Sequence, residues 1–193
     1  MLINRLLQQI LMKLNEDNFK TFYNQYKLIV YNVAINYVQN LEDAEEITQD
    51  VFVKAFQSYH KFNHISDVKT WLYRIAINTS LDFIRKKSAK KYLFVFGKKS
   101  LNDNEINTIS NFEHPGILLE NQENTKIMFQ AINSLTENQK TAFVLSKLEE
   151  LNNTEIATIM NLSISAVEGL VFRAKQALQE KLSKEFKNYH KKK

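Results

Sequence analysis

The chain reads as an all-α protein, with two small helical domains joined by an acidic linker. Three observations predict this. Only 3 Gly and 1 Pro occur in 193 residues, too few turn-formers for a sandwich, a barrel or a glycine-rich phosphate loop. Apolar residues return every three or four positions through both halves of the chain. Charge is segregated, with 6 basic and 7 acidic side chains in residues 1–65, 9 and 2 in 66–99, 0 and 5 in 100–125, and 11 and 7 in 126–193. Two basic blocks around an acidic one suit either two polyanion-binding surfaces on one tether or two solvated faces. Cys is absent, which excludes disulfides and thiolate metal sites. The four His, at His60, His64, His114 and His190, are too scattered to build a metal site. No metal, no cofactor and no catalytic residue is expected, and the chain is not expected to be an enzyme.

The first domain spans residues 1–87. In Met1 to Leu14, the apolar Leu2, Ile3, Leu6, Leu7, Ile10, Leu11 and Leu14 recur at helical spacing opposite Asn4, Arg5, Gln8, Gln9 and Lys13. This pattern lacks the unbroken apolar stretch and small-residue cleavage site of a signal peptide. No later stretch reaches the ~18 apolar residues of a membrane helix. A cytoplasmic chain without membrane insertion is expected, with this first helix lying against the body. Helical periodicity continues from Phe19 to Tyr37 and breaks at Gln39-Asn40. The second helix has a seam of Ala44, Ile47, Val51 and Ala55, widened by Phe52 and Phe56. Its first turns carry Glu42, Asp43, Glu45, Glu46 and Asp50, where the helix dipole favours acids. The third runs from about Val68, after a possible N-cap at Asp67, to Lys87. Its Leu72, Ala76, Thr79 and Phe83 share a face flanked by Tyr73, Ile77 and Ile84, so it belongs at the centre of its domain.

Residues 88–124 read as a flexible linker, with Gly97, Pro115, many Asn and all five acids of the acidic block. Within it, Tyr92-Leu-Phe-Val-Phe96 is an apolar run between lysines that should find a partner surface. The second domain spans residues 125–193 and ends in a basic tail. Thr136-Glu-Asn-Gln139 is a capping box opening a helix that carries Ala142, Phe143, Leu145 and Leu148. Asn152-Asn153 turns the chain into a short helix ending at Met160, and a longer helix follows.

Two constellations in these helices carry chemistry. Ala157, Asn161, Val167 and Leu170 have the spacing of a helix-turn-helix. It needs a small residue at the helix crossing, a left-handed residue at the turn and apolar residues on the inner face of its second helix. Asn161 is suited to the left-handed turn, Ser163 can cap the second helix, and Val171 and Ala174 extend the inner stripe. Ser165, Glu168, Gly169, Phe172, Arg173 and Gln176 fall on the opposite face, placed to enter a major groove. A plain helical hairpin is the alternative, and Gly169 inside the helix weakens it by about 1 kcal/mol. The other constellation is a polar stripe on the third helix, Trp71, Arg74, Asn78, Asp82 and Arg85, running into Lys86 and Lys87. It either holds phosphates and stacks an unpaired base or is a packing element.

At these residues the chain resembles the bacterial sigma-70 family, and most closely its small extracytoplasmic-function group. Asp43-Ala-Glu-Glu-Ile-Thr-Gln-Asp-Val-Phe-Val-Lys-Ala-Phe56, then Val68-Lys-Thr-Trp-Leu-Tyr-Arg-Ile-Ala-Ile-Asn78 and Leu81-Asp-Phe-Ile-Arg-Lys86, look like region two. Asn133-Ser-Leu-Thr-Glu-Asn-Gln-Lys140 and Ala166-Val-Glu-Gly-Leu-Val-Phe-Arg-Ala-Lys-Gln-Ala-Leu178 look like region four. The chain departs from the family at Gly169, at Asn161 in place of Gly, and at Ile77. The resemblance implies a transcription initiation factor whose partners are core RNA polymerase and promoter DNA, with an anti-sigma factor as a further partner the family admits. It assigns Asp43, Glu46, Gln49 and Asp50 to core polymerase. Trp71, Arg74, Asn78, Asp82, Arg85 and Lys86 fall to the proximal promoter element and its melting. Ser165, Glu168, Phe172, Arg173 and Gln176 fall to the distal element. The rival reading is a helix-turn-helix repressor or activator with an N-terminal dimerisation or sensor domain.

Overall fold

The computed structural model describes residues 2–59, 67–97 and 122–191, with side chains described for 19–59, 67–90, 92 and 124–185. Among these residues all regular structure is helical: α1 (Leu2–Val38), α2 (Leu41–Ser58), α3 (Val68–Gly97), α4 (Gln122–Asn133), α5 (Glu137–Lys147), α6 (Asn153–Met160) and α7 (Ile164–Lys191). Local chemistry sets the ends. Gln39 takes the left-handed conformation at φ 56°, and Asn40 caps α2 by accepting the Asp43 N–H at 2.9 Å. Thr136 and Gln139 form the expected capping box at α5. A second box, Asn152 with Glu155, opens α6 and was not anticipated. The Ser163 hydroxyl accepts the Ala166 N–H at 3.2 Å to start α7. Asn161 sits at φ 54°, ψ 49°, and α6 and α7 meet at 101°, within the range of a helix-turn-helix.

Two boundaries differ from the periodicity. The first helix and the Phe19 helix are one continuous α1, since nothing between Leu14 and Phe19 breaks a helix. Helix α3 continues ten residues past Lys87 to Gly97, because Ser88, Ala89 and the following lysines tolerate helix and Gly97 is the first helix-breaker. Tyr92 therefore lies on a helix and is exposed. The side chains of Leu93–Phe96 and of the Leu2–Leu14 stripe lie outside the described residues, as do residues 60–66 and 98–121.

Helices α1, α2 and α3 pack on one another, and α7 collects α4, α5 and α6. The seam of α2 is buried as the spacing predicts, together with Leu72 and Ala76 of α3 and Val30, Val33 and Ala34 of α1. Phe19, Phe22, Tyr23, Phe52 and Phe56 form an aromatic cluster in this unit, mostly edge-to-face, at centroid separations of 4.7 to 6.3 Å.

The two helical units are joined by more than the linker. Ala142, Val144, Leu145, Ile156 and Val167 continue the same apolar core, and a smaller cluster of Phe129, Ile132, Leu135, Ala174 and Leu178 lies beside it. Lys140 of α5, 7 % exposed, donates to the Tyr37 carbonyl at 3.0 Å and the Asn133 Oδ1 at 2.6 Å. Its ammonium lies 5.0 Å from the Tyr37 ring centroid. The amides of Gln39 and Asn133 bond reciprocally at 3.2 and 2.9 Å, and the hydroxyls of Tyr37 and Thr141 share a bond of 2.6 Å. Glu149 accepts from Asn36 at 3.1 Å and Tyr73 at 3.4 Å, and burial raises its carboxyl above the ordinary carboxylate value.

The Asn161 turn gives one prediction. Asn161→Gly should leave stability nearly unchanged, whereas Asn161→Val should cost about 1–2 kcal/mol of backbone strain in urea unfolding. Lys140 gives another. Burial pushes its ammonium from 10.5 down to about 8, so between those values the unfolded chain binds more protons. Stability should then rise with pH from about 8, by at most about 1.4 kcal/mol per unit. Tyr37 and Tyr73, whose phenols are raised by burial, oppose the rise above pH 10. Lys140 shares a cavity of about 390 Å³ with Asp43, Lys87, Lys126 and Glu137. Urea midpoints at pH 7.5 and 9.5 should separate the native chain from Lys140→Met, which loses the rise.

Candidate nucleic-acid interface

Helix α7 divides cleanly around its axis. Val167, Val171 and Ala174 are buried and Leu170 half-buried, while Ser165, Glu168, Phe172, Arg173 and Gln176 are all exposed on the other face. Phe172 is 61 % exposed, an unusual setting for a large aromatic side chain in a folded chain. Glu168 is steadied by the Asn153 amide, which donates to Oε1 at 3.4 Å from the start of α6. The helix-breaking Gly169 has a local use: a Cβ there would stand 3.3 Å from Arg173 Nη1. The Arg173 side chain thus leans back over Gly169, one turn earlier, as helical side chains do.

The polar stripe of α3 is less uniform than its sequence suggests. Asn78, Asp82, Arg85 and Lys86 are exposed, but Trp71 and Arg74 are half-buried. Trp71 packs against the core with its ring 6.4 Å from that of Tyr59. Arg74 Nε donates to the Ile159 carbonyl at 3.0 Å, and its Nη2 donates to the Thr158 carbonyl. Arg85 forms a two-point pair with Glu137 of α5 and a weaker one with Asp82. Asn78 lines a cleft of about 530 Å³ with Asn138, Thr141 and Asn161. Three residues of the stripe thus face the C-terminal unit, which the periodicity of one helix could not reveal.

On α2, Glu46, Gln49 and Asp50 are exposed, while Asp43 is half-buried and ion-paired with Lys87. Glu46 and Asp50 line a cleft of about 420 Å³ with Lys54, Asp82, Lys86, Lys87 and Lys90. Gln49 faces a different, apolar groove of about 600 Å³ formed by Phe19, Tyr23, Phe52, Val53 and Phe56. Val53 and Phe56 are each 54 % exposed. Phe56 was expected to widen the buried seam. It lies at the rim instead, its ring edge-on to that of Phe19 at a centroid separation of 4.9 Å. The signal was available for Val53, an apolar residue two positions off the seam.

Two family models match these units in order, Sigma-70 region 2 over residues 22–90 and Sigma-70, region 4 over residues 126–178. The ECF RNA polymerase sigma-E factor of Escherichia coli K12 is 31% identical over 191 residues, covering 94% of this chain and 95% of that protein. The chain belongs to the extracytoplasmic-function sigma factors. ECF RNA polymerase sigma factor SigW of Bacillus subtilis 168 is 30% identical over 188 residues, covering 94% of this sigma factor and 97% of SigW. Two solved structures share the fold. RpoE of Bartonella quintana, solved with the anti-sigma factor NepR, superposes with TM-score 0.63 at 23% identity over 86% of this chain and 97% of its own. CnrH, solved with the cytosolic domain of CnrY, gives 0.61 at 19% over 87% and 89%. Among the described residues no single helix of the sigma factor is long and apolar enough to cross a membrane.

The exposed Arg173 sets the third prediction. Arg173→Ala should weaken binding of duplex carrying the distal element, and the log–log salt slope should fall by about 0.9 if the guanidinium meets one phosphate. Fluorescence anisotropy at several salt concentrations, on the holoenzyme, measures both.

Proposed function

We propose that this sigma factor brings core RNA polymerase to promoters, with α2 docking on the polymerase, α3 holding the opened proximal element and α7 reading the distal duplex. The observation that carries the reading is the α7 face: five chemically varied side chains stand exposed together beyond a left-handed Asn161 turn, on a chain 94% of which aligns with sigma factors. Arg173 and Gln176 suit phosphate or base-edge contacts, and Phe172 suits packing on a thymine methyl.

On the proximal side, Asn78, Asp82, Arg85 and Lys86 offer polar and cationic groups to an unpaired strand, and Trp71 supplies the aromatic wall. Extruding a base costs a few kcal/mol, and stacking returns about 1–3 kcal/mol per base, so phosphate contacts by Arg74 and Arg85 and polymerase binding supply the rest. Asp43, Glu46, Gln49 and Asp50 form the polymerase-docking surface. The groove of Val53 and Phe56 beside Gln49 adds an apolar anchor of the kind that gives interfaces their affinity. The chain performs no chemistry of its own and works in the cytoplasm, on residues 1–87 and 125–193 as its two functional domains. An anti-sigma factor is a further partner, as NepR is in its complex with Bartonella quintana RpoE.

Replacing Glu46 with Gln and Asp50 with Asn keeps side-chain shape and leaves the buried seam of α2 untouched. The double variant should keep its circular dichroism while its competition for core polymerase falls at least tenfold, about 1.4 kcal/mol. Undiminished competition by the folded variant would remove the docking assignment.

A further inference from the structure

Glu168 is the one acid on the α7 face assigned to the distal duplex, beside Ser165, Phe172, Arg173 and Gln176. A carboxylate brought up to a phosphate backbone is repelled by it, so its presence there needs a cause. Three ordinary ones are absent. Helix α7 has no acid in its first turn, and Glu168 lies past the reach of the N-terminal dipole. Its neighbours three and four positions away are Ile164, Ser165, Val171 and Phe172, none of them a cation. Among the described residues the ion pairs are Arg85–Asp82, Arg85–Glu137 and Lys87–Asp43, so none holds Glu168. Arg173 leans over Gly169 instead.

What does hold Glu168 is the side-chain amide of Asn153, half-buried at the start of α6, which donates to Oε1 at 3.4 Å. The contact ties the carboxylate to the preceding helix and leaves Oε2 without a hydrogen-bond partner among the described residues. Glu168 is thereby set near the N-terminal end of α7, the end from which a helix-turn-helix presents side chains to base edges. An ionised carboxylate accepts hydrogen bonds and donates none. In the major groove guanine and thymine offer acceptors, and adenine sets its N7 acceptor beside its amino group. Cytosine offers the N4 amino donor alone.

We propose that Glu168, braced by Asn153, is a specificity-determining residue of this sigma factor, its Oε2 accepting from the N4 amino group of a cytosine in the distal element. The proposal rests on the reading of α7 as the helix that enters that duplex. Phosphate repulsion by Glu168 weakens binding to every sequence, and the amino group offsets it at cytosine.

The test uses the full-length chain with core polymerase, duplexes randomised over the distal element, and sequencing of the bound fragments. The parent holoenzyme should enrich an element with a C·G pair at one position that responds to residue 168. Glu168→Gln keeps the side-chain shape and should turn that position to adenine, since a carboxamide matches adenine N6 and N7 together. The other positions should stay as they were. Asn153→Ala leaves the Asn152 cap in place and should lower the preference for cytosine about threefold without changing it to another base. On the enriched duplex, that cytosine is then replaced by pyrimidin-2-one, which lacks only the amino group. The replacement should weaken the parent holoenzyme roughly five- to a hundredfold and cost the Glu168→Ala holoenzyme little. An enriched element that Glu168→Gln leaves unchanged, while Phe172→Ala or Arg173→Ala shifts it, overturns the proposal alone. So does a pyrimidin-2-one penalty of equal size in the parent and Glu168→Ala holoenzymes. If all three substitutions leave the element unchanged, α7 does not read the duplex, and the functional reading falls with the proposal.

Discussion

Helix α1 ends at Val38 with bare carbonyls and no basic residue in its last turn, and the cation that meets them comes from 103 residues further along the chain. An ammonium buried to this degree is costly unless its donors are satisfied, so Lys140 fixes the approach of α5 to α1 closely. Once it is seated, Thr141 meets Tyr37, Asn133 meets Gln39, and Ala142 and Leu145 join the apolar core of the first unit. Glu149, one loop later, reaches Asn36 and Tyr73. The relative placement of α3 and α7 follows from that contact.

The same polar groups serve two environments. An arginine that suits a phosphate also suits a helix C-terminus, because both offer clustered oxygens with negative charge. The acids of α2 show a similar duality: Asp43 is spent on Lys87, and Glu46 and Asp50 face a lysine-lined cleft. Charge on these helices is therefore not idle solvent coating. Arg74, Arg85 and Asp43 each have an internal partner of opposite or complementary charge.

How much could be read beforehand depended on the range of the interactions. The helix-turn-helix was legible because its requirements are local: a left-handed Asn161, a small Ala157, a cap at Ser163 and an inner stripe from Val167. The α2 seam was legible for the same reason. The joint between the domains was not, since Arg74 and Lys140 are polar residues whose carbonyl partners across the joint lie 84 and more positions away. Helical periodicity reports which face of a helix is apolar, and has no term for a cation meeting another helix's carbonyls. Trp71 fell between the two cases, on a polar stripe by spacing yet half-buried by its size. Gly169 looked like a flaw when judged by helix propensity alone and makes sense only beside Arg173.

The length of α3 has a mechanical consequence. Its last ten residues carry the chain about 15 Å beyond Lys87 before any turn, at 1.5 Å per residue. Between Gly97 and Gln122 lie residues 98–121, whose fully extended span is at most about 80 Å at ~3.3 Å per residue. That contour, measured from the tip of α3 rather than from Lys87, bounds how far the start of α4 can lie from the end of α3. At about 3.4 Å of rise per base pair, the contour alone covers roughly two turns of DNA. The chain between the two helical units thus carries its own upper limit on how far their facing ends can part.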